Sequence, residues 1–144
     1  MSEFRAHYPS TYESVGKARR ALIAYAAVCG FRSENLNDIE SAVGEALANA
    51  AEHGHSERGG FEASARVEDE RLIITIQDDG GGFERWNASD AIRPLSVAPR
   101  GFGIFIMREL MDEIRYTEHG SRLQLIKALP STPQGSERQE PQRA

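Results

Sequence analysis

One cysteine, Cys29, stands in the 144 residues, and a lone thiol closes no internal disulfide, so the fold does not depend on an oxidising compartment. Long apolar runs are missing as well: nothing approaches the eighteen or so residues that a membrane span needs. One stretch imitates a secretory leader, the apolar Ala21 to Cys29 behind Lys17, Arg19 and Arg20. A polar segment precedes it, and Val28 occupies the position where a cleavage site needs a small residue, so it reads as a buried helix. Basic excess is lacking too, with 17 Lys and Arg against 22 Asp and Glu and a formal net charge of -5. That disfavours a nucleic-acid binder, whose affinity comes from displacing phosphate counterions. A single nucleotide is not excluded, because a few backbone N–H groups and one arginine suffice to hold it. The expectation is a cytoplasmic protein with neither a membrane nor a nucleic-acid partner.

What is present is ordinary for a protein with a core: 40% hydrophobic and 27% charged residues, in a length that suits one domain. There are no internal repeats. Composition shifts only at the C-terminus, where residues 130–144 are rich in Pro, Gln, Ser, Gly, Glu and Arg and offer almost nothing apolar to offset ordering entropy. A working domain of residues 1–129 followed by a disordered tail of 130–144 is expected.

Phe4 to Tyr8 alternates as a short strand, and Ser10 with Glu13 has capping-box spacing. A helix follows with Val15, Ala18, Leu22, Tyr25, Ala26 and Cys29 on one face and Gly30 as its stop. A second helix, about Glu34 to His53, carries the stripe Ile39, Val43, Ala46, Leu47 and Ala50. Phe61, Ala63, Ala65 and Val67 alternate as a strand with one wet face; a turn at Glu68 to Glu70 leads into Leu72 to Gln77, apolar enough to be central. A third helix is expected from Gly101, then strands at Ile114 to Thr117 and Leu123 to Ala128. This order predicts an α+β two-layer sandwich, helices on one face of a mixed, mostly antiparallel sheet.

Three features carry chemistry. Glu45 and Asn49 lie four apart, one turn from each other on one helix face, with Asp38, Glu52 and His53 beside them. An acid and an amide so spaced are most often a solvated surface. Asp78 follows a buried strand and precedes Gly80-Gly81-Gly82; the carboxylate offers an acceptor at a sheet edge, and the glycines let backbone approach a flat ligand. Read blandly, it is a flexible loop. Arg100-Gly101-Phe102-Gly103 opens an apolar helix, where unpaired N–H groups and the dipole suit phosphate and Arg100 adds a charged donor. Alone it is also a glycine-permitted turn. A P-loop is excluded because no Gly-Lys-Ser/Thr occurs, and Gly101-x-Gly103 lacks the third glycine and preceding strand of a dinucleotide fingerprint.

The ordered set is more specific than its parts. Glu-x-x-x-Asn on a helix, Asp-x-Gly-x-Gly-Phe after a strand, and Arg-Gly-x-Gly opening a helix resemble the GHKL (Bergerat-fold) ATP-binding superfamily. Gly44-Glu45-Ala46-Leu47-Ala48-Asn49-Ala50, His53-Gly54 and Gly103-Ile104-x-Ile106-Met107-x-x-Leu110-Met111-Asp112-Glu113 resemble, within it, the stand-alone anti-sigma factors that are also serine-protein kinases. The resemblance runs from Phe4 to Lys127.

That resemblance implies ATP and Mg2+ as cofactors. It implies Asn49 as the Mg2+ ligand, Asp78 as acceptor of the adenine amino group, and Gly80 and Gly82 along adenine and sugar. Gly101, Phe102 and Gly103 would form the phosphate turn, with Arg100 at the γ-phosphate and His53 near the nucleotide. Glu45 would be the general base toward a serine of a STAS-domain anti-anti-sigma protein, and Glu84 to Pro99 the nucleotide lid. A sigma factor would be the second partner, and homodimers occur in the family. The lid is short and lacks a Thr-rich stretch, and Gly120-Ser121-Arg122 replaces a glycine-threonine pair. His53, His55, Glu52 and Glu57 fit no tetrahedral metal set well, and Trp86 suits either lid packing or partner contact. A non-catalytic ATP-binding switch module is the alternative. The ATPase half of a histidine kinase is a weaker third reading, because no phosphoacceptor helix pair precedes the motifs.

Overall fold

A computed structural model describes residues 2–53, 60–78, 99–117 and 122–130, with backbone alone for 52, 53, 99–104, 116 and 117. The chain runs β1 (Phe4–Pro9), α1 (Tyr12–Val28), α2 (Ser33–His53), β2 (Gly60–Glu68), β3 (Arg71–Asp78), α3 (Pro99–Leu110), β4 (Glu113–Thr117) and β5 (Arg122–Ala128). That is the element order read from the sequence. The expected tail beyond Pro130 and the lid before Pro99 lie outside the described residues.

Local chemistry sets the boundaries. α1 is capped by Thr11, not by Ser10 as the capping-box spacing suggested. Thr11 is extended (φ -132°, ψ 159°) and its Oγ1 accepts the Ser14 N–H at 3.1 Å, while its hydroxyl donates to Ser14 Oγ at 3.0 Å. A bond from Thr11 N–H to the Pro9 carbonyl at 2.9 Å turns the chain there, so the cap falls one residue later and Glu13 sits in the first turn, where the dipole favours it. At the other end Gly30, at φ 107°, donates to Ala27 O, and Phe31 donates to Ala26 O. This is the Schellman arrangement, which needs a residue free to adopt left-handed backbone. The β2–β3 hairpin closes on Asp69 and Glu70, both left-handed at φ 55° and 60°, the twist a two-residue hairpin requires.

The sheet order is β1-β2-β3-β5-β4, and every adjacent pair is antiparallel. Phe61, Ala63 and Ala65 of β2 stand opposite Asp78, Ile76 and Ile74 of β3, which continue to Leu123 and Leu125 of β5. This row, Asp78 excepted, joins one core with Val15, Ala18 and Leu22 of α1, Ile39, Val43 and Leu47 of α2, and Met107 of α3. α2 is the middle helix, packed between α1 and α3 and across β3 and β2. β3 is central, as its composition required. On the side away from the helices Ile73 and Ile126 face each other and are buried outside the main core. Arg66 of β2 stands opposite Ile73 and Glu113 of β4 opposite Ile126, and they enter the ion pairs Arg66–Glu68 and Arg71–Glu113, where long side chains can lay their stems over apolar neighbours. No described helix is long and apolar enough to cross a membrane.

Candidate nucleotide site

α2 supplies the first two residues. Its apolar stripe turns Ile39, Val43, Ala46, Leu47 and Ala50 inward, and Asn49 sits within that buried side at 5% exposure. An amide in such a place costs free energy unless something bonds it. Glu45, one turn earlier, is only half-buried, so it stands at the rim of the layer rather than inside it. The spacing predicted a shared face; the structure ranks the pair by depth.

β3 supplies the third. Side chains alternate along a strand, so Asp78 falls in the inward row of Leu72, Ile74 and Ile76, opposite the fully buried Phe61. It is 6% exposed, a carboxylate at a position that the pattern fills with isoleucine elsewhere. Because α2 packs on β3, Asn49 and Asp78 belong to the same helix–sheet layer, although 29 positions separate them in sequence.

α3 supplies the fourth part. It begins at Pro99, two residues before the expected Gly101, so Arg100 is also helical, and Arg100, Gly101, Phe102 and Gly103 lie within its first turn or immediately after it. Proline is pre-organised for a first helical position, which accounts for the earlier start. First-turn N–H groups have no partner within a helix, and this turn contains no acidic residue to occupy its positive pole. α3 packs along α2, so the motif is carried on a helix that neighbours the one bearing Glu45 and Asn49. Gly80, Gly82, His55, Glu57, Trp86 and nearly all of the expected lid lie outside the described residues, and His53 closes α2 through its backbone.

Two neighbours escaped sequence reasoning. Arg19 crosses from α1 onto α2, its Cδ 3.9 Å from where a Cβ on Gly44 would stand and its Nε 3.8 Å from a Glu40 carboxylate oxygen. A glycine inside a helix was the signal, since it is tolerated there for a packing reason. Lys127 interrupts the inward apolar row of β5 and donates to the Leu110 carbonyl at 2.7 Å. Its break in the alternation was the visible sign. Among the described residues no group of three or more His, Cys, Asp or Glu gathers as metal ligands would.

Comparison with known proteins places the chain in a family and supports its fold. Residues 8–127 match the family described as Histidine kinase-like ATPase domain. The chain is 30% identical over 120 residues to a serine-protein kinase RsbW of Bacillus subtilis, covering 77% of this chain and 75% of that protein. It is 31% identical over 121 residues to an anti-sigma F factor of Clostridium acetobutylicum, covering 79% and 83%. A solved structure of the RsbU and RsbW domains of Rv1364c from Mycobacterium tuberculosis matches in fold, with a TM-score of 0.65 at 20% identity over 90% of this chain. This chain spans 33% of that longer one.

Proposed function

Because the chain belongs to the family of histidine kinase-like ATPase domains, we propose that it is an ATP-dependent serine-protein kinase and anti-sigma factor. In this reading it phosphorylates a STAS-domain anti-anti-sigma protein and sequesters a sigma factor. The observation that carries it is the burial of Asn49 and Asp78 at 5% and 6% exposure in one helix–sheet layer, beside the helix that starts with the glycine turn. Neither side chain suits a purely apolar core, and both suit a polar ligand.

Asp78 accepts a hydrogen bond from the adenine amino group and rejects guanine, whose carbonyl there would meet another acceptor. Gly80 and Gly82 lie along the nucleoside. First-turn amides of α3, with Gly101 and Gly103 contributing no Cβ, take the phosphate oxygens, and Arg100 stabilises charge developing on the γ-phosphate. The amide oxygen of Asn49 is a hard neutral donor that fits Mg2+. That ion supplies neutralisation of charge across the triphosphate. Glu45, at the rim, orients the partner's serine hydroxyl and takes its proton. The serine oxygen bonds to the γ-phosphorus, the bridging bond to the β-phosphate breaks, and ADP leaves.

The test mixes purified protein, labelled Mg-ATP and candidate STAS proteins encoded nearby, and looks for phosphoserine. Label on serine of one candidate supports the kinase. Tight ATP binding with no transfer to any candidate supports the switch module instead.

A further inference from the structure

The helix that opens with the phosphate turn is tied down at its far end. Lys127 Nζ donates to the carbonyl of Leu110, the last residue of α3, at 2.7 Å. Just beyond, the Asp112 N–H donates to Ile126 O at 2.9 Å, and the Asp112 carboxylate accepts the Ala128 N–H at 2.7 Å. These bonds fasten the end of α3 to three consecutive residues of β5. Lys127 stands opposite the buried Leu72, in a row that otherwise holds Leu123 and Leu125. A lysine departs from that apolar row, and its cation meets the negative pole of the helix.

We infer that Lys127 is a positioning residue that sets where the first turn of α3 meets phosphate; this rests on the nucleotide reading above. α3 has 12 residues, or roughly 18 Å at the rise of an α-helix. Over that length a tilt of ~3° about the tethered end moves the first turn by about 1 Å. Misplacement on that scale is enough to cost large factors where groups must meet a reacting centre. Without the ammonium, the Leu110 carbonyl loses its cation and the helix axis loses a fixed point. Asp78 lies on β3, not on α3, so adenine recognition does not share this dependence. The two halves of the ligand thus report separately.

The experiment uses the full chain as wild type, Lys127→Gln and Lys127→Arg, well below each unfolding midpoint. Mg-ATP affinity is measured by calorimetry and adenosine affinity by NMR titration. Lys127→Gln is expected to weaken Mg-ATP about tenfold or more and leave adenosine unchanged, and Lys127→Arg, which keeps the cation, to restore most of the loss. Unchanged Mg-ATP affinity in Lys127→Gln, or parallel loss of both ligands, overturns the positioning role while the nucleotide reading stands. Failure of the wild type to bind Mg-ATP overturns that reading, and the positioning role with it. If Lys127→Gln does not fold, Asp112→Ala loosens the same tether and is expected to show the same ATP-selective loss; its absence also overturns the inference.

Discussion

Asp78 and Asn49 are polar side chains at positions where burial favours isoleucine or leucine, and that mismatch makes them informative. Asp78→Asn keeps the shape but turns part of the acceptor edge into a donor. It is expected to weaken ATP binding by about 1.5–3 kcal/mol, the value of a hydrogen bond to a charged group, which calorimetry reads as one to two decades in affinity. Unchanged affinity removes Asp78 from adenine recognition. Glu45 differs in depth and in role. Because it stands half-exposed at the rim, Glu45→Ala is expected to leave Mg-ATP binding intact and abolish phosphoserine on the partner. Undiminished transfer would show that the proton goes elsewhere.

Elements were readable where periodicity and a stop signal agreed. α1 and α2 show their stripes in sequence, and Gly30 ends α1 as its φ of 107° requires. The boundaries that shifted did so for reasons with no period. Ser10 and Thr11 are both good caps; a turn bonded to the Pro9 carbonyl selected Thr11. Thr11→Ala is therefore expected to cost about 1 kcal/mol, read as a lowered denaturant midpoint with an unchanged slope. Ser10→Ala serves as the comparison and is expected to cost less as far as helix capping is concerned. The start of α3 moved to Pro99 because a fixed φ suits the first helical position. At the same scale, Gly60 begins β2 where a Cβ would stand 2.6 Å from the Tyr8 carbonyl oxygen, a close approach that its place after Gly59 did not announce.

For the molecule as a whole, a ligand that binds only the folded state stabilises it by mass action. Mg-ATP at a hundred times its dissociation constant contributes about 2.7 kcal/mol, expected as a rise of roughly 5–10 °C in the unfolding midpoint for a domain of this size. GTP at equal concentration is expected to give little, and an equal shift would contradict selection by Asp78. Alkaline pH acts in the opposite direction. Burial pushes the Cys29 thiol above its ordinary 9.0 and the Tyr8 and Tyr25 phenols above their ordinary 10.0. Through that window the folded chain keeps protons that the unfolded chain has lost, so stability declines as pH rises. Urea midpoints are expected to be lower at pH 10.5 than at pH 8, with part of the difference absent in Cys29→Ala.

Most of the architecture was open to a reader of the sequence, because burial imposes a period of two on strands and near 3.6 on helices, and both periods survive in the residue order. The chemistry of the candidate site was visible as residue types: a carboxylate before glycines, an amide one turn after an acid, an arginine beside glycines. Placement was not. That β5 slots between β3 and β4, that Asn49 and Asp78 share one layer, and that Lys127 tethers the far end of α3 depend on contacts between distant segments. Such contacts are chosen by how whole faces pack, and no local pattern encodes them.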